Sequence, residues 1–301
     1  MTASLLWVPF TLAGSVAQIV RNSAQASLTA RIGTLGATQT RFVFGLPFAL
    51  LYLAALLAFS GASFPHFSRA ALGWTVLAGL SQIAATAMML VVMGRRAFAV
   101  AYAYIKTEPV IVAIAGTLLL GDALPPLAWL AVVVVTAGVL VASVKPDDWR
   151  RLLGEGGMIL AGLVSGGLFG LSSIAARGAA NALGQGPVMV RALSVLAVSL
   201  VMQTALLGLW LLLFDRRAFL GSLREWRTSI GAGCAGATAS ACFFTAFALA
   251  PAANSRTLTL VELPLAALVS RYGHGRVLKR HEIAGLAVIM AGVALLLTAH
   301  A

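Results

Sequence analysis

Charged side chains are scarce in this chain: 10% of its residues, where a soluble domain carries about 25%. With 60% hydrophobic residues and a mean hydropathy of +0.96, that scarcity excludes an ordinary soluble domain and indicates a polytopic membrane protein. Acids are scarcer still, nine against 21 Lys and Arg, for a net charge of +12. In a soluble protein such an excess points to nucleic acid. Here most arginines fall between apolar runs, where they orient the chain and meet anionic headgroups, so membrane lipids are expected partners and nucleic acid is not. Only two cysteines occur, Cys234 and Cys242. Eight residues apart on one predicted helix, they lie about 12 Å apart along its axis, too far for a disulfide. The four histidines (His66, His274, His281, His300) fall in loops or the tail, which excludes a His-based metal site within the membrane. Gly-rich phosphate loops and Ser/His/Asp sets are lacking, so no cofactor, no metal and no enzymatic activity are expected. The N-terminus lacks a basic n-region, so the first span is expected to be retained.

Long apolar runs are what the chain does have. A membrane helix needs about 20 apolar residues, and ten such spans are expected: Leu5–Leu28, Ala37–Phe59, Gly73–Val92, Ala97–Leu120, Leu127–Val144, Gly156–Ala180, Pro187–Phe214, Ser229–Ala250, Ala253–Arg271 and Ile283–Thr298. They are continuous rather than alternating, which favours helices over a β-barrel. Arg far outnumbers Lys and Ala is abundant. That bias is expected of a GC-rich bacterial genome and hence of a bacterial inner membrane.

The chain also repeats. Residues 99–143 align without a gap on residues 253–297, placing Glu108 on Glu262 (262 − 108 = 154), Gly121 on Gly275, Leu124 on Leu278 and Gly138 on Gly292. More weakly, Arg41 aligns with Arg191 (191 − 41 = 150). The expected organisation is a first five-helix repeat over residues 1–144, a polar connector over 145–155 and a second repeat over 156–301. Five spans is an odd number, so the second copy enters the membrane inverted, the architecture of carriers with a central site.

Within the spans, a carboxylate costs roughly 3 kcal/mol or more, so Glu108 and Glu262 are site candidates. On the first span Gln18, Arg21, Asn22 and Gln25 follow the i, i+3, i+4, i+7 pattern and share one face. That face lines either a cavity or an interhelical hydrogen-bond seam, with Arg21 paired to Glu108 or Glu262. On the fourth, Tyr102 stacks on Lys106 and Tyr104 on Glu108 at i, i+4, and Lys106 and Glu108 point differently. Pro109 and Pro264 are expected to kink their helices beside the glutamates, exposing polar backbone along a path or forming merely structural bends. On the ninth, Ser255, Thr259 and Glu262 share a face, with Arg256 nearby. Gln82, Ser172, Ser173 and Gln203 are weaker candidates, since lone polar residues in membrane helices usually serve packing. Gly162, Gly166 and Gly170 are expected to form a close-packed seam. Five cations (Arg21, Arg41, Lys106, Arg191, Arg256) face two acids, although Arg41, Arg191 and Arg256 lie near expected span ends and can snorkel to headgroups.

These motifs resemble the EamA-type domain of the drug/metabolite transporter superfamily. The resemblance is carried by Thr107-Glu108-Pro109, by Leu118-Leu119-Leu120-Gly121-Asp122 and by Thr136-Ala137-Gly138-Val139-Leu140. Their second-half partners are Glu262-Leu263-Pro264 and Met290-Ala291-Gly292-Val293. The second copy departs at Arg276, where the first has Asp122. The resemblance implies a ten-helix permease moving a small polar metabolite by alternating access, as a monomer or weak homodimer. An amino acid or related zwitterion, exported, is the leading solute. Arg21 would hold its anionic group, Gln18, Asn22 and Gln25 would orient it, and Glu108 or Glu262 would meet an amine or carry a coupling proton. Uptake of a vitamin or nucleotide-like solute, stacked on Tyr102, Tyr104 and Trp side chains, is the alternative within transport; a non-transporting scaffold is the alternative outside it. The basic residues between odd and even spans put both termini outside by the positive-inside rule, whereas the resemblance puts them inside.

Overall fold

The computed structural model describes residues 5–93, 104–143, 156–265, 267 and 279–299. Among these residues the regular structure is helical, without strands. In chain order the helices are α1 (Trp7–Ser60), α2 (Arg69–Met93), α3 (Glu108–Leu120), α4 (Pro126–Ser143) and α5 (Gly156–Ala182), then α6 (Val188–Phe214), α7 (Arg216–Arg224), α8 (Trp226–Leu249), α9 (Ala252–Thr259) and α10 (Arg280–Thr298). Among the described residues, seven helices are long and apolar enough to cross a membrane, and α3 is a shorter apolar one. Large apolar side chains such as Leu118, Phe214 and Leu160 stand outward, as lipid-facing positions require. This is an all-helical, multi-pass integral membrane architecture. The connector expected at 145–155 lies outside the described residues.

A straight helix of 54 residues would span about 80 Å at 1.5 Å per residue, far more than one bilayer. The helix in fact reverses at Gly33, whose φ of 73° and ψ of 173° are open to glycine and costly for other residues. Contacts with α8 establish the reversal. On the first limb (7–32), Gly14 packs on Phe243 and Cys242 while Gly236 packs on the Arg21 stem, so that limb runs antiparallel to α8. On the second (34–60), Gly45 lies beside the Gly233 carbonyl and the Tyr52 hydroxyl lies 2.9 Å from that of Thr238, so that limb runs parallel to it. The loop expected at 29–36 is therefore a single residue.

Small residues set the other close approaches. A Cβ on Gly138 of α4 would stand 2.8 Å from the Ile289 nitrogen, and one on Gly292 of α10 would stand 3.0 Å from the Val135 nitrogen. Those contacts are mates under the 154-residue offset (135 + 154 = 289; 138 + 154 = 292). Helix α7, expected only as a basic loop, begins with the Asp215 carboxylate accepting from the Ala218 amide at 3.0 Å. It carries Arg216, Arg217 and Arg224 with exposed Leu220 and Leu223, the mix of an interfacial helix.

Candidate functional site

Both glutamates follow a break in their helix. Tyr104 and Ile105 are helical, Lys106 and Thr107 form a turn, and α3 begins at Glu108. In the second half α9 ends at Thr259, Leu260 and Val261 form a turn, and residues 262–265 are helical again. The turns coincide under the repeat: 106 + 154 = 260 and 107 + 154 = 261. Pro109 and Pro264 thus do not kink continuous helices, as their spacing predicted. Each sits in the first turn of a new segment, where a missing N–H costs least. Gly166 and Gly170 of α5 leave room for this segment: a Cβ at Gly166 would stand 2.7 Å from the Ile105 carbonyl, and one at Gly170 would stand 3.6 Å from Glu108 Cγ. The glycine seam is therefore what lets the Glu108 segment come close.

The charges at the breaks pair across the halves. Arg256 Nε lies 2.9 Å from Glu108 Oε1, and Lys106 Nζ contacts Glu262 Oε1. All four side chains are nearly buried. The Arg256 Nε–H donates to Ser173 Oγ at 2.8 Å, and the guanidinium lies 5.4 and 5.1 Å from the Phe243 and Phe247 ring centres. Glu108 Oε1 consequently has charge compensation yet accepts no hydrogen bond. Gln18 Nε2 donates to Glu262 Oε2 at 3.2 Å, and its Oε1 accepts from Arg21 Nη2 at 3.2 Å. Arg21 also donates to Asn22 Oδ1 at 2.8 Å.

Between the halves lies a cavity of about 40 Å³. Its polar wall is formed by Gln18, Arg21, Asn22 and Arg41 from α1, Gln82 from α2, Lys106 and Glu108 at the first break, and Arg256. Phe169, Phe243, Phe244 and Phe247 form the apolar wall. At about 10–15 Å³ per water by this measure, the space holds a few waters, so a larger solute enters only if the walls part.

Most of the expected residues converge here, with four exceptions. Gln25 turns away from the cavity and donates to the Ala37 carbonyl at 3.1 Å, tying the two limbs of α1. Thr259 bonds back to the Ser255 carbonyl at 2.7 Å and does not reach the cavity. Tyr102 lies outside the described residues, and Glu262 does not line the cavity but contacts two residues that do, Gln18 and Lys106. Arg41 and Arg256 do not snorkel: both guanidiniums turn inward to line the cavity, and the limb carrying Arg41 starts right after Gly33, ahead of its expected start at Ala37. Arg191 stays apart, donating to the Ala180 carbonyl at 3.0 Å. The three α8 phenylalanines were missed. Their i, i+1, i+4 spacing in a stretch of Ala, Ser and Thr was the available signal, although such a stripe is more often plain core.

Beyond the cavity, near the chain ends of α3 and α8, Arg177 closes one end of the bundle. Its Nε donates to Asp122 Oδ1 and Oδ2 at 2.9 and 3.0 Å, and its Nη1 to the Phe247 and Ala250 carbonyls at 2.6 and 2.7 Å. One side chain thereby fastens α5 to the α3–α4 connection and to the terminus of α8.

No family model and no curated protein matches the chain. A crystal structure of a protein superposes with a TM-score of 0.69 at 18% identity, covering 95% of this chain and 97% of the other. The likeness extends over the whole chain and establishes a shared fold, nothing finer.

Proposed function

We propose that this chain is a secondary transporter of the drug/metabolite type its motifs resemble. Ten spans in two inverted five-helix halves, residues 1–144 and 156–301, would move a small polar solute bearing an anionic group across a bacterial inner membrane by alternating access. Amino acids and related zwitterions, exported, are the leading candidates. The observation that carries the reading is the pair of repeat-matched helix breaks whose carboxylates exchange cation partners across a buried polar cavity. Discontinuous helices meeting at a central site are the device by which carriers expose polar groups within the membrane. A scaffold has no use for them. The reciprocal Gly138–Ile289 and Gly292–Val135 contacts support an inverted pseudo-two-fold axis, because an isologous contact pairs i with j and j with i.

In this reading Arg21, held by Gln18 and Asn22, presents its guanidinium to the solute, and Glu108, ion-paired with Arg256 at the cavity wall, carries the coupling proton. The phenylalanine wall favours a solute with an apolar or ring-bearing body, in keeping with the vitamin-like alternative. The test is flux in proteoliposomes, after a thermal-shift screen of a metabolite library has identified a stabilising solute. Glu108→Gln should lose proton-driven flux yet keep solute-for-solute exchange, which needs no net proton movement. Arg21→Gln should abolish both. If Arg21→Gln, Glu108→Gln and Glu262→Gln all transport like the parent, the central-site reading is wrong.

A further inference from the structure

Among the described residues, Arg41 stands apart from the buried ion pairs. Arg256 is matched by Glu108, Lys106 by Glu262 and Arg177 by Asp122. Arg41, only 5% exposed, faces no carboxylate among the described residues. Its contacts are one hydrogen bond, from Nη1 to Thr86 Oγ1 at 2.7 Å, and the adjacent Phe42 ring at 5.6 Å. A guanidinium offers five N–H donors, so most remain available, on a side chain that lines the cavity. Its charged surroundings make matters worse, because Arg21 and Arg256 both repel it. Burying an unpaired charge costs several kcal/mol, and the Arg191 position of the other repeat shows that the fold does not require a cavity arginine there.

The cavity as a whole carries the same sign. Arg21, Arg41, Lys106 and Arg256 stand against Glu108 and Glu262, an excess of two positive charges among the described residues. Both carboxylates are already compensated by cations, so a solute ammonium finds no uncompensated acid. A solute oxyanion does find an uncompensated arginine. The same cavity is lined by Phe243 and Phe247, whose rings stack nearly parallel, 11° between planes, with centroids 6.1 Å apart and Arg256 over them.

We propose that Arg41, with Thr86, is an oxyanion-binding subsite, and that the solute is a net organic anion, a carboxylate or phosphate, whose apolar body lies on the α8 phenylalanines. The inference rests on the transport reading and narrows its solute class. It also gives Glu108 a task as the proton carrier: an anion accompanied by a proton moves little net charge.

The experiment uses four probes with one ring and different charge: 3-phenylpropionate, phenyl phosphate, phenylalanine and 2-phenylethylamine. Binding to the purified full chain is measured calorimetrically and by thermal shift. At least one of the two anions should bind, ahead of phenylalanine, and the amine should not. Arg41→Gln should weaken the anion at least tenfold, and Arg41→Lys should restore part of that loss. Without ligand, Arg41→Gln should melt no lower than the parent, because it removes an unpaired charge; a structural arginine would lower the midpoint. Preference for phenylalanine over both anions, or anion binding indifferent to Arg41→Gln, overturns the subsite while leaving transport intact. Failure of all four probes to bind folded protein overturns the proposed solute class, and the flux assay on library hits then judges the transport reading separately.

Discussion

Removing the Glu108 carboxylate should cost more than removing Glu108 and Arg256 together. The two side chains are about a tenth exposed and 2.9 Å apart, a gross attraction of about 6 kcal/mol at an effective dielectric of about 20. Desolvation offsets much of that in the intact pair. Breaking such a pair from one side leaves an uncompensated buried charge, at about 3–5 kcal/mol. In Glu108→Gln the stranded Arg256 keeps Ser173 and two phenylalanine faces, which places the cost at the lower end, about 3 kcal/mol. At about 2–3 °C per kcal/mol for a large domain, the melting midpoint should fall by about 6–9 °C. Glu108→Gln/Arg256→Gln removes the stranded charge and should recover most of that loss, giving a coupling of about 2 kcal/mol or more in the double-mutant cycle. The assay is thermal unfolding of purified protein in one detergent at one scan rate, since unfolding of such proteins is often irreversible. Strict additivity of the two substitutions would refute the crossed pair as an energetic unit, as would a Glu108→Gln midpoint equal to that of the parent.

Asp122→Asn should loosen the Arg177 clamp, so that a cysteine placed at Ser172, in a background lacking Cys234 and Cys242, reacts faster with impermeant thiol reagents from the clamped side. A lower melting midpoint with unchanged reactivity would make the clamp purely structural. Cysteine at Arg224, on the basic helix α7, should be labelled only from the cytoplasm if the positive-inside rule governs orientation; labelling of intact cells from outside would instead favour termini inside. Gly138→Ala should destabilise by about 1–3 kcal/mol through overpacking against the Ile289 backbone. Gly73→Ala, which meets nothing within 4 Å, should be neutral or slightly stabilising in the same melting assay.

Residues whose role follows from their own helix were legible in the sequence. The spans show as apolar runs, the glutamates stand out because carboxylates are costly in hydrocarbon, and Gln18, Arg21 and Asn22 share a face by helical periodicity. Gln25 obeys the same periodicity but lies a turn closer to Gly33, where the returning limb supplies a carbonyl instead of a cavity. That depends on how abruptly the chain reverses, and one glycine among several does not announce it. The crossed pairing was equally hidden. Lys106 and Glu108 could be seen to diverge, yet which cation each carboxylate meets depends on how the halves oppose one another. Arg41 looked like a snorkelling residue because the hydropathy pattern began its span late, at Ala37; the helical limb begins at residue 34, and the side chain ends up enclosed.

The repeat is kept in the backbone and broken in the charges. Helix breaks, glutamates and the glycine contacts of α4 and α10 obey one offset, but Lys106 corresponds to Leu260, Arg256 to Tyr102 and Arg41 to Arg191, which sits elsewhere. On the proposed transport reading, backbone symmetry would serve two related states, because the same contacts could be remade after the halves exchange roles. The proposed solute would have no such symmetry: its charged end would meet one wall in both states. Three of the four cavity cations belong to the first half, and the phenylalanine wall is largely supplied by α8 of the second. The cavity is therefore polarised from one repeat to the other, and a solute with an anionic end and an apolar end has one orientation that satisfies both.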